Sequence, residues 1–434
     1  MKRSRSILTF AALAVILTPA LAEAQTSNVQ LQHFRPYDKH GLHIFEAPRT
    51  TQPYQGFQIF WGASFTQQFQ ALSHENSHGE PSDVPTENPR QLRNIGAGFN
   101  LATANLHLGA QLADGIQVNL TTYLSSRHHP EAWVKGGYVQ IDKSPLGVQA
   151  LDDLMEYLTV KVGHFEINYG DAHFRRTDNG NAMYNPFVGN LIMDAFTTEI
   201  GGEVLFRHPS GALAMVAMTG GEIQGSVLRP DDRAPSFYGK VGFDRQLNPD
   251  LRVRLTGSAY TTSASLNNTL YSGDRAGSRY YFVMENTTAT QAGQFTSGRI
   301  NPSLQSEVTA MVLNPFVKAG GLEFFGTLER AQGQAANETD SRTWNQVAGE
   351  AIYRFHQDES LFVGGRYNTV SGELRGSGAD VSLNRVQIGG GWFLTPQMVL
   401  KAEYVNQSYK DFPTNDIRNE GRFSGLMVEG VISF

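Results

Sequence analysis

Charged side chains recur at every second residue through long extended stretches of this sequence, the spacing that gathers them on one face of a strand. In Leu251-Arg-Val-Arg-Leu-Thr-Gly-Ser-Ala-Tyr260, residues Leu251, Val253, Leu255, Gly257 and Ala259 point one way, and Arg252, Arg254, Thr256, Ser258 and Tyr260 the other. The same phasing puts Lys161, Glu166, Glu203, Lys240, Glu350, Arg366, Lys401 and Glu403 on the polar face, with Lys135, Glu199, Tyr238, Asp244 and Arg354 beside them. A wall carrying both signs of charge makes and breaks no bonds. It attracts, orients and filters ions or polar solutes. In a soluble sandwich the same residues would be a solvated face.

One connection carries its own charges. In residues 170–197, Asp171-Ala-His-Phe-Arg-Arg-Thr-Asp178 is charged and Asn185-Pro-Phe-Val-Gly-Asn-Leu-Ile-Met193 is largely apolar. An apolar segment avoids open water, so a fold back onto the polar wall is one expectation, with Arg175 and Arg176 facing acidic groups across a lumen. The other is packing over a rim or against a neighbouring subunit.

Covalent and metal chemistry find little support. The sequence holds no Gly-rich phosphate loop, His-Glu-x-x-His pair or Gly-x-Ser-x-Gly elbow. Cysteine is absent, which removes thiol nucleophiles, disulfides and zinc-thiolate sites. His128-His129 beside Glu131 is the one metal-like grouping, and adjacent histidines on a strand point oppositely. A formal net charge of −6 argues against nucleic acid as a partner. The expectation is a non-enzyme without a cofactor.

The elements that position the charges are strands. Period-two runs fall near 57–70, 93–112, 116–124, 133–141, 158–169, 198–207, 212–220, 236–246, 251–260, 306–318, 322–330, 343–355, 361–370, 385–394, 399–407 and 423–434. Tight turns such as Ala113-Asp114-Gly115, His208-Pro-Ser-Gly211 and Thr395-Pro-Gln397 alternate with long polar stretches at 71–92, 125–132, 170–197, 221–235, 261–305, 331–342, 371–384 and 408–422. Short turns on one rim and long loops on the other, around sixteen strands, predict an all-β, antiparallel transmembrane barrel. Its turns would be periplasmic, its loops extracellular, and a loop would fold into the lumen. A barrel this wide keeps an aqueous interior. Two irregularities are expected: a short helix over 150–157, and a β-bulge near Gly163 to bring Lys161 and Glu166 to one face.

The ends are informative too. Lys2, Arg3 and Arg5 precede an apolar core from Ile7 to Leu17, and Ala22-Glu-Ala24 offers a cleavage pattern, so residues 1–24 read as a signal peptide. Residues 25–55 read as a periplasmic N-terminal segment without a strand partner, and 56–434 as the barrel. At the other end Leu426, Val428, Ile432 and Phe434 share one face of the final strand. That pattern resembles the assembly signal by which barrel-assembly machinery recognises outer-membrane proteins. Phe57, Phe60, Trp61, Tyr123, Trp133, Tyr169, Phe206, Tyr260, Tyr353, Phe355, Trp392, Phe393 and Tyr404 lie near strand ends, as interfacial aromatic girdles would.

Val162-Gly-His-Phe-Glu-Ile-Asn-Tyr-Gly170, Gly391-Trp-Phe-Leu-Thr-Pro-Gln-Met-Val-Leu-Lys-Ala-Glu-Tyr404 and Phe423-Ser-Gly-Leu-Met-Val-Glu429 resemble the phosphate-selective porin O/P family. The resemblance implies a sixteen-stranded, usually trimeric barrel of the bacterial outer membrane with inward-folded loops. Family members that select phosphate line the pore with basic ladders. Here Glu166, Glu203, Glu350 and Glu403 interrupt that ladder. The function expected is therefore a passive diffusion channel for small hydrophilic solutes or ions. A substrate-specific channel for anions, a rim-located enzyme and an adhesive barrel plugged by its N-terminal segment are the rivals.

Overall fold

The computed structural model describes residues 34–47, 53–84, 88–126, 132–223, 229–273, 279–290 and 296–434. The leader at 1–24 and the His128-His129-Glu131 grouping lie outside the described residues. The strands are β1 (Gln58–Glu75), β2 (Gly98–Phe99), β3 (Thr103–Ala113), β4 (Ile116–Ser125), β5 (Trp133–Ile141), β6 (Leu158–Glu166), β7 (Thr198–Arg207), β8 (Ala212–Thr219), β9 (Ser236–Asn248), β10 (Leu251–Thr262), β11 (Glu307–Ala319), β12 (Leu322–Gln334), β13 (Arg342–Phe355), β14 (Leu361–Glu373), β15 (Asp380–Thr395), β16 (Met398–Lys410) and β17 (Arg422–Ser433). From β3 to β17 each pairs antiparallel with its chain neighbour, and β1 closes the ring against β3 and β17. This is a closed sixteen-stranded barrel plus the two-residue β2, which lies on β1 with Phe69 opposite Phe99. The expected single strand over 93–112 breaks in two at Asn100–Ala102. There Asn100 takes the Gln68 carbonyl with its N–H, and its side-chain amide donates to Gln68 Oε1.

Side-chain burial is inverted relative to a soluble protein. On β16, Lys401 and Glu403 are each 1% exposed, whereas their neighbours Leu400 and Tyr404 are 46% and 43% exposed. Exposed and buried residues alternate likewise along β10, β13, β15 and β16, with Arg254, Thr256, Ser258, Gln346, Glu350, Arg385 and Gln387 among those inside. A continuous apolar exterior is tolerable only against lipid or another apolar surface, and a closed barrel leaves no backbone edge to satisfy there. Trp61, Phe206, Tyr353, Trp392 and Tyr404 face outward as girdle residues do, but Tyr123, Tyr169, Tyr260 and Phe393 are buried in the interior. Phe60 also turns inward, against Phe34 and Tyr37. The two-residue period separates the faces, yet a tyrosine suits both, since its hydroxyl finds partners inside.

The helix is α1 (Gln149–Met155), in the longest connection of the short-turn rim. The bulge lies elsewhere than expected. β6 keeps unbroken register with β5 and β7, and the irregularity falls between β4 and β5, where Thr121 faces Gly136 and Thr122 faces Val134. Lys135 is the extra residue. Glu166 reaches the interior because it ends β6, where the chain leaves the wall. Gly163 is nonetheless special: its φ is +139°, and a Cβ there would stand 2.6 Å from the Gly137 carbonyl oxygen. Gly163→Ala is expected to destabilise the barrel by roughly 1–3 kcal/mol, the cost of a strained backbone. Equilibrium unfolding in detergent micelles would measure it, and a neutral result would remove the strain argument. β5 and β6 share only Gly137–Ile141 against Val160–His164, far fewer paired residues than the β13–β14 ladder.

Candidate functional site

Three segments enter the barrel. The first is the connection from Ile167 to Thr197, whose residues are almost all buried. Backbone polar groups buried in the lumen need partners, and wall side chains supply them. Asn314 Oδ1 accepts from the Asp171 N–H (2.8 Å), Gln346 Oε1 from Met193 (3.0 Å), Asn368 Oδ1 from Ile192 (2.6 Å), and Glu403 Oε2 from Val188 (2.8 Å). Lys401 Nζ donates to the carbonyls of Ala182, Asn185 and Phe187 at 2.9–3.1 Å and pairs with Glu429. Arg366 donates to the Gly189 carbonyl (2.7 Å) and Arg385 to that of Asn190 (2.6 Å). At Gly180 the loop presses on β3 so closely that a Cβ would sit 2.5 Å from Ala104 Cα. The apolar stretch packs as its composition demands: Phe187 joins Ile352, Phe362 and Phe393, while Val188, Ile192 and Met193 join the main interior cluster.

The second segment, between β10 and β11, came without warning from the sequence. Leu270, Tyr271, Tyr280 and Val283 are buried within it. Tyr271 donates to Glu329 Oε1 (2.8 Å), Tyr280 to Glu403 Oε1 (2.5 Å), and Arg279 lies 3.4 Å from Glu429. The signal was available in Tyr280-Tyr-Phe-Val-Met284, an apolar run inside a polar loop like the one at 185–193. The third segment, residues 34–47, spans the short-turn rim. It adds no strand, and it touches β17, the turns after β13 and β15, and β10.

Ion pairs bind these segments to the wall. Arg254 is the busiest: its guanidinium meets both Asp171 oxygens (2.8 and 2.9 Å), both Glu46 oxygens (2.8 and 3.0 Å) and Asp244 (3.0 Å). Lys240 joins Asp171 at 2.9 Å and Glu46 at 3.3 Å, and Arg252 holds Asp244 through two hydrogen bonds. Arg175 reaches Glu323 and Glu350, which also hold Arg354 and Arg366. Arg176 instead takes Asp194 of its own loop, at 3.0 and 2.7 Å.

What stays open is eccentric. A cavity of about 240 Å³ runs beside β3–β7. Of the twelve charged candidates from the sequence, Lys161, Glu166, Glu203 and Arg176 line it. Arg175, Lys240, Arg252, Arg254, Glu350, Arg366, Lys401 and Glu403 are spent on holding the segments in place. Within the cavity Lys135 pairs with Glu166 (2.7 Å) and Asp178 (2.6 Å), and Lys161 faces Glu203 at 3.5 Å. Uncharged groups from β4, among them Gln117, Asn119 and Thr121, form another side, and Tyr37, Tyr138 and Tyr184 add rings. Arg35, Tyr37 and Glu46 reach it from residues 34–47, a contribution the sequence did not announce because that stretch has no periodicity.

The clamps depend on ionised carboxylates. Burial pushes Glu46 up, but Arg254 and Lys240 outweigh it and hold the carboxyl well below the usual range. Burial opposes ionisation of Asp171 and Asp194 likewise, and Lys240 with Arg254, and Arg176, win. At the turn rim burial raises Glu359, while His43 and Lys318 bring it down to about 2. Carboxylates lowered on folding contribute stability above their unfolded values and lose it as pH falls through the folded ones. Barrel stability is therefore expected to be constant above the ordinary carboxylate range and to fall progressively as pH drops below about 4 towards the lowered folded values. Equilibrium unfolding at stepped pH would check this, and stability unchanged between about pH 5 and 2 would remove the clamps from the account.

No family model matches the sequence, and no curated protein matches it. Solved structures do. The anion-selective porin from Comamonas acidovorans aligns with a TM-score of 0.54 and 11% identity, over 87% of this chain and 100% of that one. OprB of Pseudomonas putida aligns with a TM-score of 0.50 and 11% identity over 87% and 94%. OmpT, an outer membrane protein of Vibrio cholerae in its trimer form, gives 0.50 and 11% over 88% and 100%. The fold is that of the outer-membrane porins. Within the porin fold, identity at this level speaks for architecture and leaves the solute to the chemistry of the cavity.

Proposed function

We propose that this protein is a restrictive porin of the bacterial outer membrane, conducting small hydrophilic solutes or ions passively along the β3–β7 side of its lumen. The observation that carries the reading is a polar cavity lined by both signs of charge, inside a closed barrel whose outer face is apolar. Diffusion needs no energy source, and width and charge at close range set what passes. The reading includes export through a leader at 1–24, the turns on the periplasmic side, and insertion directed by Leu426, Val428 and Ile432, which face outward on β17, and by the exposed Phe434 just after it. It includes a homotrimer in lipid as the working form. Phosphate selectivity is not part of it, because Glu166 and Glu203 pair with Lys135 and Lys161 in the cavity.

A second reading, a saturable channel for one solute class, is favoured by the cavity's small size and its three tyrosine rings beside amides and charges. Single-channel recording in planar bilayers tests both. Small, stable steps are expected, with a weak reversal potential under a salt gradient. Steps blocked in a saturable manner by a solute would select the second reading. A folded, heat-modifiable barrel that yields no steps would sink both.

A further inference from the structure

We propose that residues 34–47 form a displaceable strap across the short-turn mouth that also sets charge preference, with Arg35 as its selectivity-determining residue. This rests on the channel reading and adds to it a gate and a named charge.

The first support is how the strap is held. The ring of strands closes through β1 with β3 and β17 without it. The strap pairs with no strand and is held by side-chain contacts: Phe45 packs on Phe316, Tyr37 stacks on His107, and the rest are hydrogen bonds and ion pairs. The Lys39 N–H donates to the Pro396 carbonyl (2.8 Å), Ser433 Oγ to the Tyr37 carbonyl (2.7 Å), and Arg252 Nη1 to that of His43 (2.7 Å). Glu46 docks on Arg254, and the His43 ring sits 3.4 Å from both Glu323 and Glu359. Such contacts release one by one, whereas a strand in the ladder would not. His43 itself has a φ of +59°, a strained value for a residue with a side chain, so the strap is held in place against local preference.

The second support is the charge the strap presents. Lys135 and Lys161 each have a carboxylate on the cavity wall. Arg35 has none within ion-pair distance among the described residues. It donates Nε to the Gly41 carbonyl (3.1 Å) and Nη2 to that of Phe174 (3.0 Å), and its guanidinium lies 3.8 Å from the centre of the Tyr184 ring. Carbonyls and a ring orient the group, and the carboxylate of Glu166 acts on it only through space. A cation without a directly paired carboxylate on the cavity wall draws anions and repels cations.

The test records single channels from the full chain, from a chain lacking residues 34–47, and from Arg35→Gln, each first shown to be a heat-modifiable barrel. The deletion is expected to enlarge the step at least about twofold, and Arg35→Gln to move the reversal potential toward cations at near-normal step size. The chain has no cysteine, so Arg35→Cys adds a clean probe. A trimethylammonium-bearing thiosulfonate should move selectivity back toward anions, and a sulfonate-bearing one further toward cations. An unchanged step in the deletion overturns the gate. An unchanged reversal potential in Arg35→Gln, with both reagents without effect on Arg35→Cys, overturns the selectivity role. Absence of steps from the full chain overturns the channel reading instead.

Discussion

Lys401→Met is expected to destabilise the barrel by about 3–5 kcal/mol, because it removes one partner of a buried ion pair and leaves the other. Lys401 Nζ holds three carbonyls of the lumen loop as well as Glu429, which keeps only Gln68 (2.5 Å) and Arg279 (3.4 Å) once the lysine is gone. The carbonyls of Ala182, Asn185 and Phe187 would then face methyl groups. Two readouts should move together: the unfolding midpoint in denaturant falls, and single-channel noise rises as the loop detaches from β16. Adding Glu429→Gln should recover part of the loss, since the stranded charge goes with it. A shift below about 1 kcal/mol would mean the loop is held by packing alone.

Arg254→Met is expected to act more on conduction. One guanidinium joins three carboxylates from three elements: Glu46 of the strap, Asp171 of the lumen loop and Asp244 of β9. Without it, Lys240 alone faces Asp171 and Glu46. Both segments lose their common anchor, and the lumen should widen with a several-fold rise in step size. Arg254→Lys should rescue poorly, because an ammonium offers a point charge where the forked donors engage two carboxylates edge-on. Stability is expected to fall by about 3–5 kcal/mol in the methionine variant. A normal step size in that variant, with the loss of stability present, would show that the segments stay put without the clamp.

The wall was legible in the sequence and much of its filling was not. Arg252, Arg254, Lys401 and Glu403 point inward because strict alternation leaves them nowhere else to go once Leu251, Leu255, Leu400 and Tyr404 face outward. The turns were legible because short polar connections interrupt that alternation. Folding of 170–197 into the lumen is one of two readings of its apolar run, the other being packing over a rim or against a neighbouring subunit; the structure packs Phe187, Ile192 and Met193 inside. The strap was opaque because Phe34 to Ala47 has neither period; only tertiary contacts such as Phe45 on Phe316 place it. The bulge was assigned to the wrong strand for a related reason. Sequence reveals that a phase must slip, but the inserted residue, Lys135, pairs with Glu166 of the neighbouring β6 and with Asp178 of the lumen loop, contacts that only the fold brings together. The same ambiguity hid which charged residues line the cavity. A face is periodic, whereas the choice between clamp and conduit depends on which loop arrives.

The short β5–β6 ladder gives the barrel an uneven elasticity. Most of the circumference is stiffened by long ladders, while β5 and β6 share a short one beside the cavity. Thermal breathing will therefore concentrate at that seam. On the proposed channel reading, the effective width of the path rises with temperature faster than the barrel as a whole expands.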